Sequence, residues 1–300
     1  WSLCPLWSLC SLWFFRCAMF GAHLSISGSL HNALLEAEIL RCQTVQIFTK
    51  NQQQWKFKPL AADAIKLWKT HCHRLGFART VSHDSYLINL ASPDDRLWNA
   101  SIELFVEEIS RCEILGIPYL VTHPGAHLGT GEPAGLKRMA KALDRAYASV
   151  NGAKVITCLE ITAGQGSSLG YRLEHLAEIM SLSKNSRRLA VCLDTAHLFA
   201  AGYDFRGRRY PAFRKLVDKT IGLKRVKVLH LNDSKKDLGS RVDRHDHIGL
   251  GKIGRAGFVP IVRDEAFAEV PKILETPKEK HSSGRPWDEV NLETLRAMVK

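Results

Sequence analysis

Eight short apolar runs, rich in β-branched residues, recur along the chain, each pair separated by enough residues for a helix. They are "MFGAHLSI" (19–26), "TVQIF" (44–48), "RTVSH" (79–83), "YLVTH" (119–123), "KVITCLE" (154–160), "RLAVCLD" (188–194), "VKVLHLND" (226–233) and "PKILE" (271–275). The segments between them carry helical periodicity. "LFVEEISRCEILG" (104–116) spaces its apolar residues by three and four and ends on a glycine suited to a C-terminal cap. "GLKRMAKALDRAYASV" (135–150) and "RLEHLAEIMSLS" (172–183) read the same way, and a last helix near 287–299 is placed to cover the exterior. Strands alternating with helices pair in parallel, and eight of them close a (β/α)8 barrel. The competing arrangement is a doubly wound open sheet, but no G-x-G-x-x-G follows the first run. A length of 300 residues fits one such α/β domain.

Six of the runs carry an imidazole or a carboxylate at or near their C-terminal end: His83, His123, Glu160, Asp194, His230 and Glu275. In a parallel barrel the C-terminal strand ends share one face, where active sites are built. A lone histidine at a strand end is usually a hydrogen-bonded structural residue. Six ends of ligand type together are poorly explained by chance. Asp194-x-x-His197 adds an imidazole where the chain leaves its strand. The glycine-framed stretch "GSRVDRHDHIGLGKIG" (239–254) adds Asp243 and His245, whose spacing of two puts both side chains on one side of an extended segment.

Nine candidates, five histidines and four carboxylates, exceed the three or four ligands of a single zinc. They suit a cluster of two or three ions with a bridging carboxylate. Mixed nitrogen and oxygen donors favour Zn²⁺, with Mn²⁺ as the main competitor at one site. Such clusters serve in-line displacement at phosphate. The formal net charge of +12 points the same way, because a cationic excess attracts polyanions.

The eight cysteines include no C-x-x-C pair, and Cys158 and Cys192 sit in apolar runs as reduced core residues. A reducing cytoplasm is the expected compartment. The opening "WSLCPLWSLCSLWFFRCA" (1–18) holds a near-repeat of six and no acid. It lacks the basic start of a signal peptide and is too short and broken to span a bilayer. It reads as a non-native or disordered leader, with residues 19–300 forming the barrel domain.

The motifs "GAHLSISGSL", "FTKNQQQW", "HDSYLINLASP", "HPGAHLG", "EITAGQGSSLG", "LDTAHLFAAGYD", "HLNDSKKDLGSRVDRHDHIGLGKIG" and "ILETP" together resemble the endonuclease IV family (AP endonuclease family 2), from about residue 20 to about residue 277. The resemblance implies a single TIM barrel, three zinc ions at the C-terminal face of its strands, and cleavage of duplex DNA 5′ to abasic sites. It also implies trimming of 3′-blocking groups by a monomer associated with the nucleoid and not with membranes. In the implied grouping, His83, His123 and Glu160 hold one zinc. Glu160 bridges to a second, held with Asp194, His230 and Glu275. His197, Asp243 and His245 hold the third. Glu160 and Glu275 are the implied catalytic carboxylates. Lys50, Asn51 and Gln53, in the loop after the second run, are expected at the DNA backbone, and Tyr86 with Leu87 at the abasic site.

Three positions depart from the family pattern. Ile161 stands where an asparagine usually follows the bridging glutamate, Gln53 replaces a common arginine, and Asp246 replaces a histidine found in some relatives. Five further histidines are expected in lesser roles. His23 supports the site by hydrogen bonding, His71, His73 and His175 lie on helix surfaces, and His127 contacts either phosphate or the ligands' neighbours. Two other functions compete: a metal-dependent sugar isomerase on a similar barrel, and an inert DNA-binding barrel.

Overall fold

The structure, a computed structural model, describes residues 18–299. The expected leader therefore lies outside the described residues, apart from Ala18, which is buried in the core. Eight parallel strands form one sheet: β1 (Phe20–Ala22), β2 (Gln46–Phe48), β3 (Val81–His83), β4 (Tyr119–Thr122), β5 (Ile156–Glu160), β6 (Leu189–Asp194), β7 (Val226–His230) and, after a small hairpin of β8 (Asp233–Ser234) and β9 (His245–Asp246), β10 (Lys272–Leu274). Their order is β1-β10-β7-β6-β5-β4-β3-β2. A parallel bridge between His23 and Gln46, with Leu24 N–H donating to the Gln46 carbonyl at 2.9 Å, joins the two ends. The expected barrel is thus brought nearly to closure through this bridge.

Helices α1 (Asn32–Ile39), α2 (Ala62–Leu75), α3 (Asp95–Leu115), α4 (Glu132–Ser149), α5 (Leu173–Leu182), α6 (Thr195–Ala200), α7 (Tyr210–Thr220), α8 (Arg255–Arg263) and α9 (Trp287–Val299) pack around it. Helix α3 begins well before the apolar pattern at 104 suggests, where Asp94 caps it by accepting from Leu97 N–H at 2.7 Å. It ends as expected on Gly116, whose φ of +74° is left-handed backbone that glycine adopts without cost. The strands are shorter than the apolar runs. "VKVLHLND" divides into β7 and the start of β8, and His123 and Glu275 fall one residue beyond their strands.

The barrel interior explains the terminal pattern. An inner apolar cluster comprises Val81, Val121, Cys158, Ala190, Cys192, Val228 and Ile273. Counting two residues onward from Val81, Val121, Cys158, Cys192, Val228 and Ile273 gives His83, His123, Glu160, Asp194, His230 and Glu275. Alternation along a strand puts residues two apart on the same face. Each ligand-type side chain therefore stands one layer above an apolar one, and six strands raise them into one plane. Burial pushes the Cys192 thiol up to about 12, so Cys158 and Cys192 are the protonated core residues expected. Among the described residues no helix is long and apolar enough to cross a membrane.

Candidate metal centre

Glu160 is the hub of the C-terminal face. It is fully buried, with one carboxylate oxygen 3.2 Å from both His83 Nε2 and His123 Nε2 and the other 3.0 Å from His230 Nδ1. His230 Nδ1 also lies 3.1 Å from a Glu275 oxygen and 4.0 Å from Asp194 Oδ2. Asp194 caps α6 by accepting from His197 N–H at 2.8 Å, which fixes the step from strand end to His197. The loop before β9 comes in from the side: Asp243 carboxylate oxygens lie 3.2 Å from His197 Nε2 and 3.3 Å from His245 Nε2. Donor atoms of His83, His123 and Glu160, of Glu160, Asp194, His230 and Glu275, and of Asp194, His197 and His245 lie close enough in each group to hold a metal ion. All nine candidates meet in one place. Asp194 reaches toward the third group as well as the second, with its Oδ2 3.9 Å from His245 Nε2.

Four of the imidazoles have one nitrogen beside a neutral acceptor. His83 Nδ1 lies 2.9 Å from the Asp84 carbonyl, His197 Nδ1 2.9 Å from the Ile161 carbonyl, His230 Nε2 2.8 Å from Gln46 Oε1, and His245 Nδ1 3.1 Å from the Glu275 carbonyl. A proton on each of those nitrogens leaves the other nitrogen with a lone pair facing a carboxylate. Two acceptors face each other stably only around a cation or a second proton. His245 Nε2 illustrates this: it is buried and has no hydrogen-bond partner. With protons as the only cations, burial disfavours charge on His83, but the Glu160 carboxylate beside it outweighs that and holds the imidazole up to about 9. Burial likewise opposes charge on Glu160, yet the surrounding His230 and His123 imidazoles keep its carboxyl well below the usual range. The donor set therefore fits a buried cationic cluster.

Sequence reasoning missed the residues that orient this set. Gln46, whose Oε1 accepts from His230 when that imidazole carries its proton on Nε2, donates from Nε2 to Glu275 at 2.6 Å. Asn232 donates to Asp194 Oδ2 at 2.6 Å and accepts from Glu275 N–H at 2.8 Å. Both are neutral and lie inside apolar runs, so composition offers no signal for them; only the barrel brings them under the carboxylates. His23 supports Glu275 as expected, with Nδ1 3.2 Å away. The Ile161 side chain is buried in the core, and its carbonyl serves His197.

Two expectations need correction. Lys50 is buried rather than presented to a phosphate backbone, with Nζ 3.4 Å from Glu108 of α3. Thr49 donates to the same carboxylate at 2.8 Å, and Arg111 donates to the Thr49 carbonyl at 2.6 Å. Lys50 thus anchors the loop that carries exposed Asn51 and Gln53. Lys50→Met should lower stability by about 1–2 kcal/mol, in the range for a buried group losing its partner, while leaving the salt dependence of DNA binding unchanged. A thermal melt and a salt titration check both halves. His175 is buried, not superficial, with Nε2 3.2 Å from Glu132 and Nδ1 accepting from Gly170 N–H. His127 Nδ1 accepts from the N–H groups of Gly129 and Gly131 in its own loop.

A cavity of about 580 Å³ opens beside the cluster, lined by residues including Tyr86, His123, Gly164, His197 and Asp243. Tyr86 is 67% exposed, with its ring edge-on to Phe48 and tilted against His83. Leu87 differs from it, being half-buried against the main core.

Residues 36–299 match the family described as xylose isomerase-like TIM barrel. The chain is 49% identical over 282 residues to a probable endonuclease 4 of Chloroflexus aurantiacus, covering 94% of this chain and 98% of the relative. It is 44% identical to a probable endonuclease 4 of Geobacter sulfurreducens, covering 93% and 94%. Among solved structures, endonuclease IV from Thermus thermophilus superposes with a TM-score of 0.81 at 34% identity, covering 94% of this chain and 98% of that one. A D-tagatose 3-epimerase-like protein shares the fold alone, with a TM-score of 0.70 at 18% identity over 94% and 97%. Identity at this level across nearly the whole length of both partners, on a barrel of matching shape, shows that the chain belongs to the endonuclease IV family within the xylose isomerase-like TIM barrels.

Proposed function

We propose that this protein is a DNA-repair phosphodiesterase that cuts duplex DNA 5′ to abasic sites, leaving a 3′-hydroxyl and a 5′-deoxyribose phosphate, and that it also trims 3′-blocking groups. The observation that carries this reading is the convergence of three ligand groups around Glu160 and Asp194 at one end of the barrel. His83, His123 and Glu160 hold one ion, Glu160, Asp194, His230 and Glu275 a second, and His197, Asp243 and His245 the third. Zinc suits this nitrogen and oxygen set, with Mn²⁺ as the competitor at the third group, the least enclosed. When bound, such ions supply Lewis acidity to a phosphate and make hydroxide available near neutral pH.

The chain's own residues do the rest. Glu160 and Glu275 give the buried negative charge that concentrates the cations. Gln46 and Asn232 hold the carboxylates in fixed orientations, so little reorganisation accompanies the reaction. The net charge of +12 draws the substrate in, and exposed Asn51 and Gln53 flank its path. A sugar isomerase on this barrel accounts for the strand-end ligands but not for the Asp243, His197 and His245 group, which favours the phosphodiesterase.

Metal-analysed protein incubated with abasic duplex tests the proposal. Nicking at the abasic site with close to three ions per chain is expected. Tight DNA binding without turnover would establish an inert binder, and ketose epimerisation without nicking would establish the isomerase. A milder variant probes the supporting side chains. Gln46→Leu removes the groups facing His230 and Glu275 and should lower metal affinity about tenfold, as loss of a ligand's hydrogen-bond partner does. Metal retained against graded chelator measures it, and retention equal to the parent's counts against the role given to Gln46.

A further inference from the structure

The last helix touches the chain neighbours of two candidate ligands without contributing a ligand itself. Asn291 of α9 is buried, and its amide makes contacts in two directions. Its Oδ1 accepts from Ile248 N–H at 3.0 Å, and its Nδ2 donates to Thr276 Oγ1 at 2.9 Å and lies 3.2 Å from His247 Nδ1. Thr276 directly follows Glu275, while His247 and Ile248 follow His245 by two and three residues. One turn earlier, Trp287 stacks on His247 with ring centroids 3.7 Å apart and planes 10° apart, and His281 meets the Trp287 ring edge-on at 4.6 Å. The two segments that the helix grips also touch each other at the site, through His245 Nδ1 and the Glu275 carbonyl at 3.1 Å.

We propose that Asn291 and Trp287 are positioning residues that lock the His245 loop onto the Glu275 loop and thereby set the affinity of the third metal group. This rests on the metal-centre reading above. The physical need is specific. His245 and Asp243 come from a long connection whose regular pairing is limited to the two-residue β8–β9 hairpin, whereas the other ligands stand on or beside barrel strands or, like His197, on a helix capped at a strand end. A ladder of two residue pairs holds the segment only at His245 and Asp246, so side chains from elsewhere must complete its geometry. Asn291 does this by satisfying one backbone N–H and one hydroxyl from the two loops at once. Trp287 presses on the flat face of His247 and blocks the loop from swinging outward. Neither residue reaches the reacting atoms, so their removal should act through metal retention.

The test uses the full chain loaded with zinc and dialysed against graded chelator. Metal content, melting temperature and nicking at saturating zinc are read in parallel. Asn291→Leu and Trp287→Ala should each release one ion per chain at chelator concentrations roughly 10- to 100-fold lower than the parent does, the range for lost ligand support. The other ions should be retained as in the parent. Trp287→Phe keeps a stacking ring and should restore most of the retention. Asn291→Asp keeps the acceptor for Ile248 and should fall between, which preserves the test if Asn291→Leu does not fold. Saturating zinc should recover much of the nicking rate. Variants that melt earlier but keep every ion at the parent's affinity overturn the clamp and make the contacts packing alone. A parent chain that binds no zinc overturns the metal reading itself, and the clamp with it.

Discussion

Glu160→Gln is expected to slow incision of abasic duplex by at least ~100-fold, the scale seen when a key electrostatic stabiliser is removed. The substitution keeps size and shape but removes a buried charge that faces His83 and His123 through one oxygen and His230 through the other. The amide can offer one acceptor where the carboxylate offered two, and its NH2 group would point at a cation or an imidazole. Two of the three ligand groups share this side chain, so metal content should fall along with rate. Metal analysis beside single-turnover nicking separates the two effects. A variant that cuts at the parent's rate with its full metal content would show that Glu160 does not bridge.

Tyr86→Ala should weaken binding to abasic duplex roughly 10- to 100-fold more than binding to intact duplex, because stacking an aromatic on an exposed base contributes roughly 1–3 kcal/mol. On the proposed reading, ions held among buried strand ends could not reach a phosphate in an undistorted helix. The damaged nucleotide must unstack, at least cost where its base is already missing, and an inserted side chain fills the space it leaves. Tyr86 stands ready for this, largely exposed at the rim of the cavity that Asp243 and His197 also line. Leu87 is already packed against the core, so Leu87→Ala should lower melting temperature and contribute less to the abasic preference. The double variant then combines two separable losses. Equal weakening on abasic and intact duplex after Tyr86→Ala would remove the wedge role and leave Tyr86 as general surface.

Architecture and ligand types were legible in the chain before any contact was known. Strand periodicity carries the same information as the barrel wall, because alternation puts Val81 and His83, or Cys192 and Asp194, on one face whatever the tertiary context. Parallel strands in turn bring their C-terminal ends together, so six strand-end donors imply one site. Packing settled what depends on partners distant in the chain. Lys50 is a cation in a polar loop and reads as a phosphate contact until Glu108 of α3 is seen beside it in the buried layer beneath. His175 reads as a surface residue of a helix until Glu132 of α4 closes over it. Gln46, Asn232 and Asn291 carry no charge and break no pattern. Their importance lies wholly in which buried groups they satisfy, and that is set by barrel closure and helix docking rather than by local periodicity. Local sequence dictates which face a side chain takes; burial and pairing, which turn the same residue into an anchor, a support or a ligand, belong to the packed whole.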